Sequence, residues 1–323
     1  MVGRRTILGL GLAGAAVAAV AGTGIGYRNG ITRARARVAA IASSTVATRF
    51  GDMEYAVAGS GPAVLMIHGT GGGHDQGLRF ARRLIEGGYR VVAPSRFGYL
   101  GSAFPAEPTP DHQADAFADL LDALELRRAA VVGGSAGALS AMALAIRHPQ
   151  RVSALVPLVP ASYTPARPPA RPWTSGEEQF ARAVLGSDLL FWLAITASPD
   201  MLTRTLLATD PALVAAASDE ERARVAGILH DILPVSRRAL GLLADARHAG
   251  NPEPMALDAI EAPTLAISLE DDLFMTADAA RHIAATVPGA QLRLYPRGGH
   301  VWVGLDAEIF STIDAFLRES GVS

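Results

Sequence analysis

Two hydrophobic rhythms alternate along most of this chain. Residues 45–50 and 53–58 alternate apolar and polar, the period of a half-buried strand, and predict an antiparallel hairpin turned at Gly51-Asp52. Residues 63–67, 91–93, 129–132, 152–159, 263–268 and 291–295 are short, nearly continuous apolar runs, as expected of strands covered on both faces. Between them, residues 78–86, 110–126, 138–148, 277–286 and 306–318 carry helical spacing, with Phe117, Leu120, Leu121 and Leu124 marking one buried face. Strands alternating with helices predict a mostly parallel sheet with helices on both sides and right-handed crossovers.

The alternation stops at residue 161. A proline-rich stretch with Pro165, Pro168, Pro169 and Pro172 leads into helical segments near 176–196, 201–207, 219–231 and 236–249. Residues 161–255 therefore read as a helical insertion dividing one α/β domain into 44–160 and 256–323. With 323 residues and half of them hydrophobic, the chain is large enough for one such domain and its insertion.

The N-terminus is a separate object. Arg4 and Arg5 precede an uncharged stretch of about 22 residues, 6–27, long enough to span a bilayer as a helix. The same stretch fits an export signal, with Ala19-Val20-Ala21 before Gly22 as a cleavage site and a weak twin-arginine likeness. Arg28, Arg33, Arg35 and Arg37 follow it, which by the positive-inside rule favours a cytoplasmic enzyme if the segment stays. Anchor and signal both remain open, with export favoured, and residues 28–43 read as a basic, helix-prone linker. Removal of residues 1–40 is then expected to leave a soluble, active protein. A net charge of -2 with no basic stripe beyond the N-terminus excludes a nucleic-acid partner. The absence of cysteine excludes disulfides, a thiolate nucleophile and a cysteine metal site, and no other metal-ligand spacing is present.

Chemistry enters at Gly133-Gly134-Ser135-Ala136-Gly137, between an apolar run and a helical one. A strand, a Gly-x-Ser-x-Gly turn and a helix form a nucleophile elbow, in which glycines leave room for a sharply turned serine. A serine hydroxyl needs a base, and the base an orienting carboxylate. Both follow in order, each just past a strand: Glu270-Asp271-Asp272 and Gly298-Gly299-His300. The glycine-rich loop His68-Gly69-Thr70-Gly71-Gly72-Gly73 follows the strand at 63–67. It lacks the ending of a phosphate-binding loop. Its amides suit an oxyanion hole, with Ala136 supplying one N–H and Thr70 or Gly71 the other. His68 reads as structural. Phe191-Trp192 on an insertion helix reads as core rather than acyl pocket. His74-Asp75 reads as an exposed loop pair, and His230-Asp231 as packing where the insertion meets the core.

On these residues, the chain from 45 to 320 resembles the α/β-hydrolase fold family with a helical cap. The resemblance implies an eight-stranded, mostly parallel sheet, a Ser135-His300-Asp272 triad, no cofactor, and an insertion that lies over the site as a lid. Family members place the acid third after a strand-ending glycine. Leu269 holds that glycine's position here, so Asp272 is expected and Asp271 is the alternative. Residues 95–102 also depart from the family's usual loop, and Arg96 there serves either an anionic substrate group or an ion pair to the sheet edge or cap. The implied activity is that of a serine hydrolase on carboxylic esters with small to medium hydrophobic acyl groups. Carbon–carbon bond hydrolase and lactonase chemistry are the alternatives on the same fold, and a non-catalytic ligand sensor is the alternative of a different class. Dehalogenases and epoxide hydrolases are disfavoured, because they carry Asp where Ser135 stands.

Overall fold

The computed structural model describes residues 23–168, 171 and 174–322. Most of the apolar N-terminal stretch, with its cleavage site and arginine pair, lies outside the described residues. Strands β1 (Ser43–Thr48) and β2 (Gly51–Ala58) pair antiparallel. Strands β3 (Ala63–Ile67), β4 (Arg90–Pro94), β5 (Ala129–Gly134), β6 (Val152–Leu158), β7 (Leu265–Leu269) and β8 (Gln291–Tyr295) follow. Together they form one eight-stranded sheet in the order β1-β2-β4-β3-β5-β6-β7-β8, parallel from β4 to β8. The hairpin turns at Arg49-Phe50 rather than Gly51-Asp52, since Thr48 pairs with Gly51. The turn residues are held from outside the hairpin. Arg49 binds Asp119 through its backbone N–H and its guanidinium, and Phe50 stacks on His112.

The helices in chain order are α1 (23–39), α2 (His74–Phe80), α3 (Arg82–Glu86), α4 (Pro110–Ala123) and α5 (Gly137–Arg147). Then come α6 (Ser175–Leu185), α7 (Asp188–Ala197), α8 (Pro199–Thr205), α9 (Pro211–Ala215), α10 (Asp219–Asp231) and α11 (Ala239–His248) of the insertion. Helices α12 (Thr276–Thr286) and α13 (Asp306–Glu319) complete the chain.

Strand alternation explains the apolar runs. Leu65, Ile67, Val131 and Leu155 face one side and meet Phe117, Met142 and Ile283 of α4, α5 and α12. Val64, Met66, Val132 and Val156 face the other and meet Leu84, Ile309, Phe310 and Ile313 of α3 and α13. Each such side chain, fully buried, stabilises the fold by about 1.5–3 kcal/mol over leaving it exposed. The expected helix at 78–86 starts earlier, at His74, and divides at Ala81. The insertion's first helix divides at Gly186, where Ser187 Oγ accepts from Leu190 N–H at 3.3 Å and starts α7 at 92° to α6.

Residues 28–43 are not a linker. Most of them belong to α1, and Ile31, Ala34 and Val38 of that helix are buried. Ile31 and Ala34 share a cluster with Phe191, Ile195 and Leu233 of the cap. Arg37 donates to the carbonyls of Asp231 and Leu233 at 3.0 and 2.7 Å and pairs with the Asp231 carboxylate at 3.1 Å. Tyr27 meets Trp192 edge-on at 5.9 Å. No single helix among the described residues is long and apolar enough to cross a membrane.

Candidate active site

The elbow forms where β5 meets α5. Ser135 holds a left-handed backbone, φ 51°, which a non-glycine residue adopts only under constraint. The constraint is packing behind it. A Cβ on Gly137 would stand 2.5 Å from the His68 carbonyl oxygen, and one on Gly133 2.6 Å from Ala141 Cβ. Only glycine lets β5, α5 and the loop after β3 approach this closely.

Ser135, His300 and Asp272 form one hydrogen-bonded chain. Ser135 Oγ lies 2.9 Å from His300 Nε2, and His300 Nδ1 lies 2.7 Å from Asp272 Oδ2. Asp272 is itself fixed: Oδ1 accepts from Phe274 N–H at 2.8 Å, and Thr276 Oγ1 donates to Oδ2. The Phe274 ring packs edge-on against the imidazole at 5.0 Å. Of the three adjacent acids, Asp272 alone reaches the histidine. Asp271 accepts from the amides of Gly299 and Gly298 at 2.8 and 3.1 Å, holding the loop that carries His300. Glu270 pairs with Arg281 at the surface.

The glycine-rich loop lies against the nucleophile. Thr70 lines the cavity above Ser135. Gly71, one of the expected oxyanion donors, is engaged elsewhere: its N–H donates to Tyr99 Oη at 3.3 Å. Helix α5 follows its N-cap Ala136 with no side-chain cap, and among the described residues the Ala136 N–H, next to Ser135, meets no acceptor. Thr70 and Ala136 are the donors the geometry favours.

A buried polar network holds that loop, and the sequence pattern shows little of it. Arg96 donates to the carbonyls of His68 and Gly69 at 3.0 and 3.1 Å, and in two bonds of 2.7 and 2.6 Å to Asp245 of α11. Tyr99 Oη donates to the same carboxylate at 2.5 Å. Arg96 is thus the ion-pair partner of the cap. Burial opposes its charge, but Asp245 and Tyr99 more than offset that and raise its pKa. His68 accepts at Nε2 from Arg96 N–H at 2.9 Å and faces the Gly69 carbonyl with Nδ1 at 2.7 Å, as a neutral imidazole protonated at Nδ1. Burial, then the Arg96 charge, holds its pKa well below the usual range.

Arg238, fully buried, donates to the Gly72 carbonyl and pairs with Asp75 at 2.7 Å. His74-Asp75 is therefore no exposed loop pair but is buried under the cap. Burial raises the Asp75 pKa and Arg238 more than reverses it, leaving it below the ordinary carboxylate value. Asp231 binds Arg37 and Arg79, tying α10 to α1 and α2, as packing at the cap boundary requires. Phe191 and Trp192 pack on α1 rather than lining the cavity. The partners in these pairs lie far apart in sequence, so no local pattern announces them.

The cavity over Ser135 measures about 400 Å³. Phe80, Leu206, Ile228, Leu242, Val301 and Trp302 give it mainly apolar walls, most of them from the cap or the loop after β8. Among the described residues no cluster of metal-ligating side chains occurs.

A model of the alpha/beta hydrolase fold family matches residues 62–305. The carbamate hydrolase candidate RutD of Klebsiella pneumoniae (strain 342) is 31% identical over 241 residues, 72% of this chain and 82% of that protein. The 2-hydroxy-6-oxononadienedioate/2-hydroxy-6-oxononatrienedioate hydrolase of Paraburkholderia xenovorans (strain LB400) is 29% identical over 224 residues, covering 67% and 72%. Among solved structures, an alpha/beta hydrolase fold protein from Nakamurella multipartita superposes with a TM-score of 0.67 at 30% identity, covering 87% of this chain and all of that one. With its eight-stranded sheet, its elbow and these likenesses, this chain belongs to the alpha/beta hydrolase fold family and is a hydrolase.

Proposed function

We propose that the enzyme cleaves carboxylic esters through an acyl-enzyme on Ser135. The observation that carries this reading is the Ser135–His300–Asp272 chain, opening into an apolar cavity with two uncommitted amides beside the serine. Ser135 Oγ attacks the ester carbon as its proton passes to His300 Nε2. The N–H groups of Thr70 and Ala136 take the charge that develops on the carbonyl oxygen, each worth about 3–4 kcal/mol of barrier. The ester C–O bond breaks as His300 returns the proton to the departing alcohol. His300 then takes a proton from water, the hydroxide attacks the acyl carbon, and Ser135 recovers its proton as the acid leaves. Asp272 holds the imidazole with Nε2 toward the serine and balances its positive charge.

Turnover of short 4-nitrophenyl esters by the purified enzyme is expected, with Ser135→Ala lowering kcat by about 10⁴-fold or more while leaving the circular dichroism unchanged. A Ser135→Ala protein that retains wild-type turnover contradicts the assignment. Carbon–carbon cleavage of a vinylogous diketone is the second reading, favoured by the likeness to the Paraburkholderia hydrolase. We also propose that residues 6–27 hold the enzyme at a membrane or carry it across one. Recovery of the uncut full chain wholly with cytoplasmic markers on fractionation contradicts that.

A further inference from the structure

Three ionisable side chains face the cavity over Ser135: His300, Asp245 and Arg167. Two are already compensated. His300 is paired with Asp272, and Asp245 with Arg96 and Tyr99. Arg167 is not. Its Nη1 donates weakly to the Ala249 carbonyl at 3.5 Å, and no described carboxylate lies within ion-pairing distance. The sequence has no Asp or Glu at any position outside the described residues. Burial lowers the pKa of this guanidinium, and the more distant Asp272 offsets that only in part. A guanidinium offers five N–H donors in a planar fork, and among the described residues only Nη1 meets an acceptor.

The placement of this cation follows from the nucleophile. Its loop leaves β6 with the Ala161 N–H donating to the Ser135 carbonyl at 3.2 Å. The loop then turns at the buried Thr164, whose carbonyl accepts from Arg167 N–H at 3.1 Å. The cavity therefore presents apolar walls, a nucleophile and one uncompensated cation. Arg167 is half-buried, so solvent hydrates part of its guanidinium, but a neutral acyl chain would cover it from the cavity side without bringing a counter-charge.

The geometry points to an anionic substrate: an ester bearing a carboxylate or phosphate-like oxyanion group that Arg167 binds while Ser135 attacks the carbonyl. This rests on the ester reading above and adds the charge of the substrate. Arg–oxyanion recognition is planar and two-pronged, so it fixes orientation as well as affinity.

The test is steady-state kinetics of the full chain on three 4-nitrophenyl esters of matched length: neutral valerate, the glutarate monoester, and 4-phosphonobutyrate. At least one anionic ester is expected to have a kcat/KM about tenfold or more above the neutral one, through a lower KM. Which of the two is favoured identifies the group. In Arg167→Gln the anionic-to-neutral ratio of kcat/KM should fall about tenfold, and Arg167→Lys should recover part of it. A purely structural arginine would lower both substrates together and leave the ratio unchanged, which overturns the proposal. So does a wild-type enzyme indifferent to substrate charge, although the ester reading then stands. A folded enzyme that turns over none of the three removes the ester reading and this inference with it.

Discussion

Ser135 occupies a backbone conformation that costs about 1–3 kcal/mol, at a turn where Gly133 and Gly137 let β5, α5 and the loop after β3 pack too closely for a side chain. That strain is legible in sequence, since two glycines flanking a serine at the end of an apolar run mark a turn too tight for larger side chains. The histidine is legible for a similar reason, standing in a glycine loop past a strand. The choice of acid is harder to read, because adjacent carboxylates differ only in which way the backbone aims them. The structure aims Asp272 at Nδ1 and Asp271 at two amides. Asp272→Asn should therefore lower kcat by about 10³–10⁴, since a neutral amide fails to hold the imidazole tautomer or its charge. Asp271→Asn should cost only about tenfold, by loosening the loop that carries His300. The opposite ranking of the two variants, at equal folded fraction, contradicts this division of roles.

At the scale of elements, the parallel strands and their covering helices are readable because each is continuously apolar or helically periodic. Pattern and structure part where tertiary contacts override local preference. Arg49-Phe50 turn the hairpin because Asp119 and His112 anchor them from α4. The clamp between the cap and the glycine loop has no sequence signature, since Asp75 meets Arg238 across 163 residues. Its thermodynamics have a definite sign. Asp75 has a folded pKa below its ordinary 3.8, so the pairing stabilises the fold above that pH and its contribution is lost as pH falls through the folded value. Asp75→Asn leaves Arg238 buried without its counter-charge and should cost about 3–5 kcal/mol at pH 7. Melting curves from pH 7 to 3 should show wild type converging toward the variant below about pH 4. A constant gap between them across that range would show that the clamp does not act through the Asp75 charge.

At the scale of the molecule, the order of strands and helices follows the sequence pattern, while the join at the N-terminus does not. Four arginines give helix α1 the look of a solvated linker. Three of its apolar positions, at 31, 34 and 38, in fact face the molecule, and Arg37 reaches the end of α10. The apolar face is real but narrow, and short enough to pass for the tail of the preceding hydrophobic stretch. The expectation that removal of residues 1–40 is harmless is therefore replaced. A chain beginning at residue 23 should keep full activity and its Tm. One beginning at residue 41 should melt several degrees lower and aggregate through the uncovered surface around Phe191, Trp192 and Ile195. Equal melting temperatures for the two would mean that α1 contributes nothing to the cap.

The proposed chemistry, the substrate charge and the division of roles between the acids all depend on Ser135 being an activated nucleophile. The direct measurement is reaction of the full chain with a fluorophosphonate probe, followed by peptide mass mapping, alongside the His300→Ala variant. A single adduct on Ser135 is expected in the wild type and none at the same exposure in the variant. A folded wild-type protein that takes up no probe, or takes it up at another residue, would contradict the serine mechanism and leave the cavity a binding site rather than a catalytic one.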